Sequence, residues 1–267
     1  TGSTDEPQLP GAFVAFGRAV VAGLLSVIYL LVTRAPWPTG TVWRSLAIVA
    51  GGVVIGFPLG MSVAMRYVES VHGSAILGAL PLGTAVIGAW VNRQRPPAAF
   101  WAVAVFGSAL VMAFPMVKAG ASMAGISAAD LLLLIATACA STGYVFGARL
   151  AREMTAEQVI CWACAASLPV TVPLMLLTWP EVSASTGAWL GFAYVSVGSM
   201  WAGFFFWYRG LALGGTVRVS QVQLVQPILG MAFSVPLLGE TLDLITAAFG
   251  LAIVATVFVG RRLASRS

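Results

Sequence analysis

The chain has 267 residues, of which 59% are hydrophobic and 9% are charged, and its mean hydropathy is +0.94. Soluble domains carry about 25% charged residues, so this composition excludes an ordinary globular protein. The net charge of +5 comes almost wholly from arginine. On a soluble protein this balance would suggest nucleic acid. Here the arginines fall in short loops between apolar segments, so we predict a polytopic membrane protein with no nucleic-acid partner.

Nine apolar segments follow the polar residues 1–9. A helix needs about 20 apolar residues to cross a bilayer, and no alternating strand pattern is present, so we expect helical spans. Short loops predict that successive spans pack antiparallel. The predicted spans are Pro10–Val32, Arg44–Tyr67, His72–Val91, Ala98–Val117, Ala129–Ala148, Val159–Trp179, Ala188–Tyr208, Val217–Leu238 and Leu242–Val259.

Basic residues are divided unevenly between the two ends of the predicted spans. With the C-terminus in the cytoplasm, eleven of the fourteen basic residues lie at cytoplasmic ends. The positive-inside rule therefore predicts a cytoplasmic C-terminus and, because the number of spans is odd, an external N-terminus. The expected location is the cell inner, or plasma, membrane. The eleven are Arg34, Arg44, Arg93, Arg95, Arg149, Arg152, Arg209, Arg218, Arg261, Arg262 and Arg266.

Two prolines mark an internal repeat. Pro81 lies inside the third predicted span, and Pro227 lies 146 residues later inside the eighth. In both places an aromatic-rich span precedes the proline, and a turn and one more span follow it. A period of five helices inverts the second copy relative to the first. Inverted repeats are typical of secondary transporters.

Three glutamines stand in the apolar segment of the eighth span: Gln221, Gln223 and Gln226. A polar group in hydrocarbon costs free energy unless it finds a partner, so this helix is predicted to face protein or a water-filled cavity. Gln223 and Gln226 share a helical face. We interpret the amides as substrate-binding groups, and the alternative is that they bond a neighbouring helix.

Arg18 lies within the first predicted span. A buried arginine would hold a carboxylate or phosphate of a substrate, and the alternative is an arginine that snorkels to the outer interface. His72, the single histidine, lies near Glu69. This pair is the candidate for coupling transport to protons, with His72 also a candidate substrate ligand; the alternative for His72 is a loop or cap residue.

Aromatic residues supply further candidates for substrate binding: Tyr144, Trp162 and Trp201. Trp201 and Phe204 are one turn apart and would form the wall of a cavity, although lipid-facing packing is the alternative. Trp207 and Tyr208 are predicted to belong to the interfacial aromatic belt.

Prolines inside three predicted spans are candidate hinges, the alternative being static bends. They are Pro58, Pro81 and Pro227.

Signals for catalysis, cofactors and metals are missing from the sequence. Cys161 and Cys164 have CxxC spacing but no second pair and no nearby histidine, so we interpret them, with Cys139, as small apolar helix residues. No P-loop, HExxH or GxSxG motif occurs, and no span carries paired carboxylates. We therefore predict neither an enzyme nor an ATP-driven pump, with no cofactor and no metal.

In the order and spacing of its motifs the chain resembles the drug/metabolite transporter superfamily, EamA-type exporters. The markers are Arg18 in the first span, Ala64-Met65-Arg66-Tyr67 at the end of the second, Tyr144 to Arg149 in the fifth, and Gln226-Pro227 through Gly239-Glu240. The resemblance covers nearly the whole chain. It implies an all-α ten-helix fold of two inverted five-helix repeats, residues 1–119 and 120–267, with nine spans visible and the family's first helix missing.

The resemblance implies a secondary transporter that exports small metabolites, amino acids above all, by alternating access. Arg18 would hold the substrate carboxylate, Gln223 and Gln226 its polar groups, and Trp162 and Trp201 its side chain. The family often has glutamate where Leu80 and Gln226 stand here, which favours facilitated diffusion over proton coupling. The alternatives are a multidrug or cation exporter and a non-transporting membrane protein. The expected partners are a small-molecule substrate and the lipid bilayer, with the chain as a monomer or homodimer.

Overall fold

The computed structural model describes residues 9–68, 76–119, 128–181, 184–226 and 244–264, together with positions 73 and 229. Every regular element in those ranges is helical. The α-helices are α1 (Gly11–Val32), α2 (Thr41–Val49), α3 (Phe57–Ala64), α4 (Leu80–Val91), α5 (Ala98–Ala119), α6 (Ala128–Leu150), α7 (Ala156–Leu177), α8 (Thr186–Ala193), α9 (Gly203–Gly214), α10 (Thr216–Ser220) and α11 (Leu244–Ala264).

Three segments of other helical geometry continue these helices. The first π segment (Ala50–Gly56) joins α2 to α3, and the second π segment (Tyr194–Ala202) joins α8 to α9. A 3₁₀ segment (Gln221–Val225) follows α10. Pro58 stands just after the first π segment. Its ring and its missing N–H disturb the α-helical ladder behind it, and a wider turn accommodates that disturbance.

Five helical stretches in the described ranges are long and apolar enough to cross a membrane. They confirm the predicted all-helical, polytopic membrane protein. The predicted number of nine spans stays a prediction, because parts of the third and eighth spans lie outside the described residues. The five are Gly11–Val32, Thr41–Ala64, Ala128–Leu150, Ala156–Leu177 and Thr186–Gly214; Leu80–Val91 and Ala98–Phe114 are shorter apolar helices.

The chain forms two compact units. Unit 1 comprises Thr1–Val63 and Thr142–Leu213, and unit 2 comprises Ala64–Ser141 and Gly214–Ser267. Each unit takes helices from both predicted repeats, so the units and the repeats divide the chain differently. The boundary between repeats at residues 119 and 120 stays a prediction.

The antiparallel pair of α1 and α7 forms the centre of unit 1. Near the beginning of α1, Gly17 lies against Met175 of α7; further along, Gly23 lies against Leu168 and Cys164. A Cβ added at Gly23 would be 2.6 Å from Cδ2 of Leu168, so the two helices approach as closely as a missing side chain allows. The second π segment packs on α1, and the first packs on α7.

Two glycines of α6 allow side chains from other parts of unit 1 to pack closely against this helix. A Cβ on Gly143 would lie 2.5 Å from Cγ2 of Val53 in the first π segment, and a Cβ on Gly147 would overlap the ring of Tyr208. Tyr208 is fully buried, and its hydroxyl donates to the Gly143 carbonyl at 3.4 Å. The prediction that Tyr208 belongs to the interfacial belt is therefore wrong, because the missing side chain at Gly147 makes room for its ring inside the protein.

Unit 2 is built on the packing of α4 against α10 and of α5 against α11. One apolar cluster surrounds Phe100 and includes Ala85 and Val217; another surrounds Leu224 and Ile253. Buried hydroxyls in this unit bond carbonyls of their own helices, as Thr84 does with Leu80 (2.9 Å) and Thr256 with Ile253 (2.7 Å). The described part of unit 2 is thus largely a packed apolar core.

Helix positions follow the interval between the two repeat prolines. The starts of α7, α8 and α11 come 145 or 146 residues after those of α1, α2 and α5. The two π segments also occupy corresponding places. Within unit 1, α1 and α7 run antiparallel, as inversion requires of equivalent helices. The inverted two-repeat organisation itself stays a prediction.

Candidate functional site

Six buried side-chain polar atoms have no hydrogen-bond partner among the described residues, and four of them belong to unit 1. The four are Nε of Arg18, Oγ of Ser26 and the indole Nε1 atoms of Trp201 and Trp207, whereas Oγ of Ser108 and Oε1 of Gln223 belong to unit 2. Arginine and indole nitrogens can only donate, and a hydroxyl can donate as well. The set therefore carries one positive charge and a surplus of donors.

Arg18 projects from α1 into an aromatic and thiol environment. The titratable groups close enough to interact with its charge are Tyr144 of α6 and Cys164 of α7. The Tyr144 ring packs against Trp207, with ring centroids 5.6 Å apart. Among the described residues no carboxylate forms an ion pair with Arg18, so its charge is not neutralised by an ion pair there. The buried Nε favours the substrate-binding interpretation, and the choice between it and a snorkelling arginine stays a prediction.

A second part of the same region surrounds the thiol of Cys161. The Ser26 hydroxyl and the Trp201 indole N–H are its neighbours, although neither reaches a hydrogen-bond partner. The Trp201 ring packs against Phe205 at 4.8 Å and Tyr29 at 6.3 Å. We call these groups together the Arg18 site: Arg18, Ser26, Tyr144, Cys161, Cys164, Trp201 and Trp207.

The other predicted aromatic residues lie elsewhere in unit 1. Trp162 packs against Trp37 and Trp43, with ring centroids 4.8 and 5.8 Å away. Trp201 and Phe204, predicted as one wall, contact different rings, since Phe204 packs against Tyr144. The structure thus brings Arg18, Tyr144 and Trp201 into one region and places Trp162 in a separate aromatic cluster.

The predicted glutamines belong to unit 2. Gln221 is 1% exposed, and its Nε2 donates to Oγ of Ser220 at 3.4 Å. Oε1 of Gln223 is buried without a partner among the described residues, whereas Gln226 is exposed. These three amides therefore have three different environments. Their role as substrate ligands stays a prediction.

Several further candidates lie at the edge of the described ranges or beyond it. Glu69, His72 and Pro227 lie outside the described residues. Pro81 stands in the first turn of α4, after a turn at residues 78–79 that interrupts the predicted third span. The hinge role of Pro58, Pro81 and Pro227 stays a prediction.

Four residues of the Arg18 site were not predicted as ligands. Ser26 is one polar residue in an apolar span, Trp207 fits the pattern of a belt residue, and Cys161 and Cys164 were interpreted as apolar helix residues. The cysteines 139, 161 and 164 are free thiols, and the described residues contain no group of three or more His, Cys, Asp or Glu suited to a metal. The site is equipped to bind a group that accepts hydrogen bonds and carries negative charge.

Comparison with known proteins agrees with the membrane fold. Residues 127–260 match the model of the EamA-like transporter family. The chain is similar to "Uncharacterized transporter YdeK" of Bacillus subtilis (strain 168), at 39% identity over 254 residues, which cover 94% of this chain and 88% of that protein. A solved crystal structure shares the fold with a TM-score of 0.75 and 18% identity, over 96% of this chain and 88% of that one. The protein is therefore a multi-pass membrane transporter of small molecules, and the chain belongs to the EamA-like family of the drug/metabolite transporter superfamily, as its motifs predict.

Proposed function

We propose that the protein is a secondary transporter that exports small metabolites bearing a carboxylate, amino acids above all, by alternating access. The observation that carries this proposal is the Arg18 site, which combines a positive charge with buried donors that lack an acceptor among the described residues. A carboxylate brings two acceptor oxygens and the opposite charge, and it is the group that such a donor set pairs with best.

The energetics favour a ligand at this place. A buried donor left without a partner costs about 1–3 kcal/mol, and a charge in an apolar span costs more. A substrate that supplies the missing acceptor recovers this free energy on binding. The rings of Tyr29, Trp201 and Phe205 next to Ser26 offer apolar contact for the rest of a small amino acid.

The same site argues against the alternative of a cation exporter. Arg18 would repel a cationic drug, and no described carboxylate lies in contact with it to reverse that effect. Among the described residues, Asp130 and Glu157 stand in first turns of helices rather than at the centre of a span. This placement favours facilitated diffusion over coupling to protons.

The arginine distribution supports a location in the inner, or plasma, membrane with the C-terminus in the cytoplasm. We propose that the transporter works there as a monomer or homodimer surrounded by lipid.

The test is counterflow in proteoliposomes that contain the purified full chain. Vesicles loaded with unlabelled leucine are diluted into labelled leucine, with and without an imposed pH gradient. We expect saturable accumulation that ignores the gradient. Excess external leucine should abolish the signal, whereas leucinamide, which has lost the carboxylate charge, should compete poorly.

Three results would contradict parts of the proposal. Equal competition by leucine and leucinamide would show that the carboxylate is not recognised. The absence of saturable flux for aliphatic and aromatic amino acids alike would remove the amino-acid assignment. Accumulation that follows the pH gradient would instead direct attention to Glu69 and His72 and overturn the facilitative mode.

A further inference from the structure

Two clusters of aromatic rings lie in unit 1 outside the Arg18 site. The Phe13 cluster consists of Phe13, Trp179, Trp189 and Phe192, with ring centroids 5.2 to 5.9 Å apart. The Trp162 cluster consists of Trp37, Trp43 and Trp162, with ring centroids 4.8 to 5.8 Å apart. Each contains edge-to-face contacts of the kind that aromatic side chains prefer.

The clusters stand at opposite ends of the antiparallel α1–α7 pair. Phe13 is in the first turn of α1 and meets Trp179 just beyond the end of α7. Trp162 is near the beginning of α7, beside the end of α1. Phe13 and Ser26 are 13 residues apart, which is about 20 Å of helix. Arg18 and Cys164 lie between the two clusters along this pair, whereas Cys161 lies level with Trp162.

The rings of the two clusters are arranged in the same way. In each, a ring on the α1–α7 pair is buried, since Phe13 is 1% and Trp162 8% exposed. A tryptophan from the first turn of another span covers it: Trp189 of α8 covers Phe13, and Trp43 of α2 covers Trp162. Trp189 follows Trp43 by 146 residues, the same interval that separates Pro81 from Pro227. These tryptophans pack on buried rings, whereas a tryptophan that only anchors the chain at the membrane interface needs no such contact.

The spans that carry the two tryptophans share another feature. Each contains a π segment, seven residues after Trp43 in one span and five residues after Trp189 in the other. A π segment interrupts the regular hydrogen-bond ladder and is a place where helices bend. The whole of α2 or α8 can therefore swing while the part of its span after the π segment stays packed.

We infer that Trp43 and Trp189 are the mobile halves of two aromatic gates, one on either side of Arg18 along the α1–α7 pair. Resting on the proposed transport function, this inference assigns each step of alternating access to one tryptophan. When α2 moves, Trp43 leaves Trp162 and Arg18 becomes accessible from the predicted cytoplasmic face. When α8 moves, Trp189 leaves Phe13 and Arg18 becomes accessible from the other face.

The experiment uses Cys164, which lies near Arg18 and between the two clusters, as the reporter in full-length protein with Cys139 and Cys161 replaced by alanine. A charged, membrane-impermeant methanethiosulfonate is applied to right-side-out and to inside-out vesicles. We expect Trp43→Ala to raise the labelling rate from the cytoplasmic face and Trp189→Ala to raise it from the outer face, each on the order of tenfold. Cys164→Ser should abolish the signal.

A control variant and two replacement variants accompany the labelling experiment. Trp90 is 81% exposed on α4, and Trp90→Ala should change labelling from neither face. If either alanine variant does not insert, Trp43→Leu and Trp189→Leu replace them. Increased labelling from the same face in both variants, or from neither face, overturns the inference and leaves the tryptophans as interfacial anchors.

Labelling is independent of leucine flux, so the two proposals fail separately. Leucine counterflow with unchanged labelling in the variants removes the gates and keeps the transport function. Face-specific labelling without flux of any amino acid keeps the gates and removes the substrate assignment.

Discussion

The two compact units differ in the polar atoms that they bury without partners among the described residues. In unit 1 these atoms are a guanidinium nitrogen, two indole nitrogens and one hydroxyl, and in unit 2 they are Oγ of Ser108 and Oε1 of Gln223. Other hydroxyls of unit 2, such as those of Thr84, Thr137 and Thr256, are bonded to carbonyls of their own helices. A self-satisfied hydroxyl stabilises a fold, whereas an unmatched polar atom costs free energy until something binds. The comparison teaches that, among these unmatched atoms, the charged one belongs to unit 1.

Removal of the charge in unit 1 should have the largest effect. Arg18→Gln keeps a donor but loses the charge that attracts a carboxylate, and we expect leucine counterflow to fall by about 100-fold. The assay is the initial rate in proteoliposomes at matched protein content. Arg149→Gln, at an exposed position of α6, is the control and should retain normal flux. Comparable loss in both variants would refute a specific role for Arg18.

The next effect concerns the packing that surrounds the site. In Gly147→Ala the new Cβ overlaps the Tyr208 ring, so the free energy of unfolding should fall by about 1–3 kcal/mol. Thermal unfolding in detergent measures it. Gly210→Ala on α9 is the matched control, because a Cβ there meets nothing within 4 Å. If the two variants melt at the same temperature, the fit of Tyr208 against α6 is wrong.

A single neutral donor should matter less than the charge. Trp207→Phe keeps a ring against Tyr144 and removes the indole N–H, and we expect the apparent affinity for leucine to fall by about three- to tenfold. The KM of counterflow reports it. Trp90→Phe, in unit 2, provides the comparison and should leave KM unchanged. An unaltered KM in Trp207→Phe would mean that this donor does not face the substrate.

The smallest effect is expected for a satisfied hydroxyl of unit 2. Thr84→Val loses the bond to the Leu80 carbonyl while its shape is kept, so stability should fall by about 0.5–1.5 kcal/mol and leucine flux should not change. Thr33→Val removes the same kind of bond at an exposed position and should cost less. A large loss of leucine flux in Thr84→Val would contradict the functional distinction between the two units.

Local sequence signals predicted the spans well, because hydropathy is a property of neighbouring residues. The first predicted span, Pro10–Val32, differs from α1 by one residue at its start, and the fourth begins at Ala98 like α5. Arg18 was found because a charge in an apolar segment is conspicuous. The environments of Ser26, Trp207 and Tyr208 were not predictable, since they depend on which face of each helix meets α6 and α7. One glycine, Gly147, decides whether Tyr208 is buried.

The second π segment also determines how the span that contains it responds to the deletion of a residue. A π turn holds one more residue than an α-helical turn, so one residue removed between Tyr194 and Ala202, with return to a regular α-helix, would leave α9 close to its present orientation. Tyr208 would stay against Gly147, and Trp207 against Tyr144. A single deletion in this stretch should thus be tolerated far better than one in α9 itself, where each residue turns the chain by about 100°. Relatives that lack the wide turn should align with this chain only across a one-residue gap.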